Sequence, residues 1–217
     1  MRQRSLLTLI VGLVLVGSAW AGSLPPVDEA GEDPAFERFR TQFLQIVRKR
    51  DLSAFEKRLH PNVKLSLGNG TGIPSAIRHM REDPSRWEIL ERVLQSGGRF
   101  KTFGTADQQV RMFFAPYTYF ARRDDSDSLP GVAVVAGVNV NVRAHPSTNA
   151  AVIGQLSHWV VHASFPAGNE DRWIKVRMPS GPVGYVSAKY IAWPTDFRAG
   201  FALHEGDWKL RVFLAGD

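Results

Sequence analysis

Residues 137–193 constrain the fold more than any other part of this 217-residue chain. They read as short apolar runs cut by Gly, Pro, Asn and Ser at regular spacing. Val138, Val140 and Val142 alternate with Asn139, Asn141 and Arg143. A period of two gives one apolar and one polar face, as in a half-buried strand. His145, Pro146, Ser147, Thr148 and Asn149 form a turn-rich loop. Val152, Ile153, Gly154 and Leu156 make the next run, Val160 and Val161 another, and residues 168–171 a Gly-Asn-Glu-Asp turn. Trp173, Ile174 and Val176 begin a strand that Pro179, Ser180, Gly181 and Pro182 turn into Val183, Gly184, Tyr185 and Val186. Tyr190, Ile191 and Trp193 close the segment. Short strands at this spacing predict a small closed or nearly closed barrel.

The same residues resemble a bacterial Src-homology-3-like (SH3-like, SH3b) domain. Asn141, Arg143 and Pro146 match its first strand and loop, and Val152, Ile153, Gly154 and Leu156 its second element. Trp173, Lys175 and Val176 match the Trp-x-Lys-Val strand. Gly181, Gly184, Tyr185 and Val186 match the following hairpin, and Tyr190 with Ile191 the closing pair. The chain departs from the pattern at Ser157, His158 and Trp159, where a Gly is usual. The resemblance implies a binding module whose ligand sits between loops against exposed aromatics. It points to Asn141, Arg143, His145, Trp159, Tyr190 and Trp193 as ligand-binding residues. It places Trp173 and Tyr185 in strands, mainly in the core.

The first residues are not read as fold. Arg2 and Arg4 precede an apolar run over residues 6–16, too short for a bilayer span, and Ala19, Trp20 and Ala21 form an A-x-A site. Cleavage before Gly22 would leave a periplasmic or secreted protein with no integral membrane span. Removal of the two arginines lowers the formal charge from +6 to +4. This mild excess, spread along the chain, makes no nucleic-acid stripe. The chain has no cysteine, so disulfides and thiolate metal sites are excluded.

Around the barrel the pattern changes. Residues 22–33 read as a Pro- and acid-rich linker. Asp33 and Pro34 start a helix bearing Phe36, Phe39, Phe43, Ile46 and Val47 on one face. Ser53 and Glu56 form a capping box for a second helix, which His60 and Pro61 end. Val63, Leu65 and Leu67 alternate as a strand. Two more helices follow, one from Pro74 and one carrying Trp87, Leu90, Val93 and Leu94. Residues 99–103 and 110–114 read as strands, with Pro116 placing the second near an edge or bulge. Residues 122–129 form a charged junction. In the tail, Phe197, Ala199, Phe201 and Leu203 alternate, as do Trp208, Leu210, Val212 and Leu214. A lone hairpin this apolar is unstable in water, so it is expected to complete the sheet begun before the barrel.

The expected fold is therefore an α+β host domain, helices on a curved antiparallel sheet, with an inserted all-β SH3-like barrel. The divisions are a signal peptide at 1–21, a linker at 22–33, host at 34–130, barrel at 131–194 and a completing hairpin at 195–217. The element order of the host resembles the nuclear-transport-factor-2-like fold, with some other α+β sandwich as the alternative. That resemblance implies a cone whose pocket is catalytic in some members. Asp51, His60, His79, Asp107, Tyr117 and Tyr119 are the acid-base candidates, though none sits in a motif that fixes mutual geometry.

His158 and His162 read as strand residues about 13 Å apart. That is too far for two bonds of about 2.0–2.1 Å to one zinc ion. No metal, cofactor or catalytic residue is expected, and no G-x-S-x-G elbow is present. The functional expectation is an exported, non-catalytic binding protein. Its barrel would recognise a cell-envelope ligand, either a peptidoglycan peptide or an extended protein segment. A homodimer through the host sheet is a further arrangement. The alternative is a small-molecule pocket or enzyme in the host domain, with the barrel as scaffold.

Overall fold

A computed structural model describes residues 22–68, 70–105, 109–121, 131–165 and 172–216. The expected signal peptide, the 122–129 junction, the 168–171 turn and Asp107 lie outside these residues.

Local chemistry starts the first helix, α1 (Pro34–Lys49), as the sequence predicts. The Asp33 carboxylate accepts the amides of Ala35 and Phe36 at 3.0 Å, and Pro34 occupies the first turn. Phe36, Phe39, Phe43 and Val47 are buried. The short α2 (Leu52–Glu56) is capped by Asp51, whose carboxylate accepts from the Ala54 amide, and not by the expected Ser53 and Glu56 pair. Then come β1 (Leu59–Lys64), α3 (Ile73–Glu82), α4 (Ser85–Gln95), β2 (Arg99–Phe103) and β3 (Val110–Ala115). Strand β1 begins earlier than the Val63–Leu65–Leu67 alternation implies and contains Pro61. An edge position accommodates that proline. By contrast, β3 is a central strand. Pro116 follows its last residue, so neither an edge nor a bulge is needed.

The next seven strands are β4 (Val132–Val135), β5 (Val140–Arg143), β6 (Val152–Leu156), β7 (Trp159–Ala163), β8 (Trp173–Arg177), β9 (Val183–Ser187) and β10 (Ile191–Ala192). The chain ends in β11 (Arg198–His204) and β12 (Asp207–Leu214), joined by a two-residue turn. Both turn residues, Glu205 and Gly206, have positive φ, as a turn matched to strand twist requires.

Two sheets result. The first has the order β1-β12-β11-β3-β2, so the C-terminal hairpin lies between strands from before residue 116. Its pairings are antiparallel except β1 with β12, which run parallel. The expected all-antiparallel sheet is thus mixed. The long path from β1 to β12, through two α-helices and ten strands, leaves their relative direction free. One face carries α1, α2 and α4. Between them Phe36 lies 4.4 Å from Phe113, 5.6 Å from Phe201 and 4.9 Å from Trp208, centroid to centroid. Phe36, Phe43, Phe55, Phe113, Phe201 and Phe213 are all fully buried. On the other face Met112, Phe114 and Ala202 are covered by Phe103, Tyr119 and Phe120.

The second sheet is antiparallel, in the order β10-β4-β7-β8-β9-β5-β6. Strands β6 and β7 stand four places apart, about 19 Å in a flat sheet. Only Ser157 and His158 link them, a reach of at most about 11 Å. The sheet must therefore roll on itself, although no described pairing joins β10 to β6. Val135, Val142, Leu156, Val161, Val176 and Val186 fill the inside, a core separate from that of the first sheet. Strand β4 carries no signal that the sequence reading picked out. Val138, expected in a strand, sits in the turn before β5 and is 70% exposed.

Residues 22–33 form a strap and not a free linker. The Gly22 carbonyl accepts the Val160 amide at 2.9 Å, and Ser23 pairs with Trp159. Further on, the Glu29 amide donates to the Gly98 carbonyl and the Glu29 carboxylate accepts from the Phe100 amide. Asp28 forms a two-pronged ion pair with Arg40 at 2.7 Å. Ala30 is fully buried. The strap ties the second sheet to the first. A second tie runs from the 3-10 helix Tyr117–Ala121, where the Tyr117 hydroxyl hydrogen-bonds with His158 Nδ1 at 3.0 Å.

Candidate functional site

The six residues expected to bind ligand fall in two groups and a loop. Trp159 starts β7 on the same side as the buried Val161 and Ala163, and packs against the inner core half-exposed. Trp193 also packs there and stacks on Phe165 at 4.6 Å and 16°. Tyr190, 36% exposed, lies against Gly137 with Lys189 Nζ 4.8 Å over its ring. His145 is exposed in the loop after β5. Asn141 and Arg143 share the outer face of β5. Asn141 accepts from Gln155 Nε2 at 2.9 Å, and Arg143 Nη1 donates to the Ala150 carbonyl at 2.7 Å.

That face holds more than the sequence reading assigned to it. In β8, Ile174 and Val176 point inward, so Trp173, Lys175 and Arg177 point out. In β9, Gly184 and Val186 point inward, so Val183, Tyr185 and Ser187 point out. In β5, Val140 and Val142 point inward, leaving Asn141 and Arg143 outside. Tyr185 and Trp173, expected mainly in the core, are thus half-buried on the outer side. Register aligns them: Lys175 pairs with Tyr185, and Tyr185 with Arg143. Arg177 pairs with Val183 one row along. Directly opposed residues bring their Cβ atoms within about 4.5–5.5 Å. Tyr185 is therefore flanked by a cation on each side. Lys175 and Arg177 are both exposed.

Among the described residues from 131 to 194 there are five Lys and Arg and no Asp or Glu. Summed over a small face, unneutralised cations raise the local concentration of anionic ligands and speed their arrival. Three of the five, Arg143, Lys175 and Arg177, lie on this outer face beside Tyr185.

The acid-base candidates of the first half are dispersed. Asp51 caps α2, and His79 Nδ1 lies 2.7 Å from the Ser75 carbonyl. Tyr119 stacks on Phe114 at 5.1 Å. Tyr117 joins the two halves, and burial pushes its hydroxyl pKa up. His60 is 6% exposed. Its Nδ1 accepts the Asn62 amide, and its Nε2 lies 3.2 Å from Arg211 Nη1. Burial first, then the Arg211 charge and then His204, hold the His60 pKa below its ordinary value. His158 is not a strand residue. It sits in the turn before β7 with a φ of 53°. Among the described residues no group of three or more His, Asp or Glu could hold a metal ion, and no helix is long and apolar enough to cross a membrane.

No family model matches the chain, and no curated protein matches it. A solved structure named Rd1NTF2_05, a variant carrying five substitutions, is similar over 85% of this chain and 99% of its own, with 11% identity and a TM-score of 0.31. A likeness that distant carries no argument about fold or function.

Proposed function

We propose that the protein is an exported, non-catalytic binding protein of the cell envelope. Its second sheet acts as an SH3-like barrel inserted in a host domain of the nuclear-transport-factor-2-like kind. The barrel recognises a peptidoglycan peptide or an extended protein segment. The observation that carries this reading is the outer face of β8, β9 and β5. It displays Lys175, Arg177, Arg143 and Tyr185 although the sheet's core is complete without them. Surface side chains that no core requires are free to serve recognition. The filled aromatic core of the first half speaks for a structural host more than for a pocket. Export is supported by the residues before Gly22. Cleavage there would keep the bond from the Val160 amide to the Gly22 carbonyl.

The test is co-sedimentation of the mature chain, residues 22–217, with purified sacculi and, separately, pull-down of solubilised envelope proteins. Saturable binding to one of them is expected. Binding to neither sinks the reading.

A further inference from the structure

We propose that the outer face of β8, β9 and β5 binds an acidic, extended segment of another protein, with Lys175, Arg177 and Arg143 arranged around Tyr185. This rests on the binding reading above and names its ligand class. The first support is sign. No carboxylate occurs among the described residues from 131 to 194, and the segment's two acids, Glu170 and Asp171, lie outside them. An acidic partner meets attraction from Arg143, Lys175 and Arg177 and no like charge from the described residues of this sheet.

The second support is spacing. Lys175 and Arg177 stand two residues apart on one side of a strand, about 6.6 Å along its axis. Alternate side chains of an extended peptide recur at the same interval, so acids at every second position meet both cations. Arg143 lies two strands across from Lys175, about 10 Å away, with Tyr185 between. The partner strand or its neighbouring turn must reach that third cation.

The third support is the apolar rim. Val183, 38% exposed, pairs with Arg177, and Val152, 47% exposed, pairs with Arg143. These offer contact to the apolar side chains that alternate with acids in such a segment. A nucleic acid needs open aromatic faces for its bases. Tyr185, between Lys175 and Arg143, and Trp173 are both half-buried, so neither supplies an open platform. A bilayer needs a protruding apolar wedge, whereas Trp173 on this face is half-buried and the exposed apolar rim is Val183 and Val152.

Fluorescence anisotropy of the full mature chain against a labelled peptide of alternating glutamate and valine tests this. A lysine-for-glutamate analogue serves as the sign control. The wild type is expected to bind the glutamate peptide, with affinity falling as salt rises, and not the lysine analogue. The double variant Lys175→Glu, Arg177→Glu, which changes only exposed side chains, is expected to bind about tenfold or more weakly. Arg81→Glu, an exposed reversal on α3, is expected to leave binding unchanged. The proposal is overturned by no wild-type binding, by equal binding in the double variant, or by an equal loss in Arg81→Glu. Tighter binding to single-stranded DNA or to phosphatidylglycerol vesicles than to the peptide also overturns it. If sacculi or envelope proteins still capture the double variant, this inference fails while the broader binding reading stands. If the wild type captures neither, the broader reading fails too.

Discussion

Truncating Phe201 to alanine tests how a hairpin from the end of the chain holds a helix from its beginning. Phe201 is fully buried on β11. Its ring lies 5.6 Å from Phe36, 5.7 Å from Phe39 and 5.8 Å from Phe43, all three on α1. Removing a buried phenyl loses its transfer energy and leaves a cavity, about 3–5 kcal/mol in total. Collapse around the hole is opposed because the three facing rings sit on one helix, whose start is fixed by the Asp33 cap. Against a typical stability of about 5–15 kcal/mol, the loss is a large fraction. Urea unfolding followed by tryptophan fluorescence reads it. Trp87 and Trp208 report on this core, while Trp159 and Trp193 pack on the other. A loss below about 1.5 kcal/mol would refute the reasoning, because a ring so enclosed cannot be removed at the cost of a surface contact. Adding Phe43→Ala to the variant refines the test. The two losses should fall short of additivity by about 0.5–1.5 kcal/mol, the worth of the ring pair.

Asp33→Ala removes the α1 cap and an ion pair with Arg111 at 3.3 Å, and should cost about 1 kcal/mol in the same urea experiment. Gly184→Ala places a methyl 2.5 Å from Val142 Cγ1 and 2.9 Å from the Arg143 carbonyl. It should cost about 1–3 kcal/mol and weaken peptide binding, because β5 and β9 must part to admit it. His60 has a folded-state pKa depressed below 6.5, so the unfolded chain takes up a proton that the native ring resists. Its contribution to stability is therefore complete above about pH 6.5 and declines as pH falls through and below that value. His60→Gln should flatten the slope of the urea midpoint between about pH 7 and pH 5, and an unchanged slope would remove His60 as its source. Glu205→Asn should raise stability by about 0.5–1 kcal/mol, since asparagine bears the left-handed backbone at this turn position with less strain.

The elements legible in the sequence are those whose signal is local. Asp33 before Pro34, phenylalanines at helical spacing, and two alternating runs around Glu205 and Gly206 each state their structure within about ten residues. What stayed hidden depends on partners far along the chain. The strap has the composition of a linker, yet the Glu29 carboxylate finds its donor 71 residues away at Phe100. Strand β1 carries Pro61, which reads as a breaker until the sheet order gives it an edge. Strand β4 is four residues long, and its partners β7 and β10 lie at least twenty residues further on.

The outer face of β8, β9 and β5 was hidden for a different reason. A motif can say that Trp173 and Tyr185 belong to strands and that Trp159 stands where the chain departs from it, but the side each faces depends on the phase of alternation. In β7 that phase turns Trp159 toward the core, and in β9 it turns Tyr185 outward. Charge counted along the chain dilutes in the same way. Arg143 is separated from Lys175 by 31 intervening residues, and the register through Tyr185 removes that distance. Strand phase thus puts Arg143, Lys175 and Arg177 on one side of the second sheet, although they are scattered along the chain. Arg143, which the sequence singled out for another reason, gains its role from neighbours that only the folded sheet supplies.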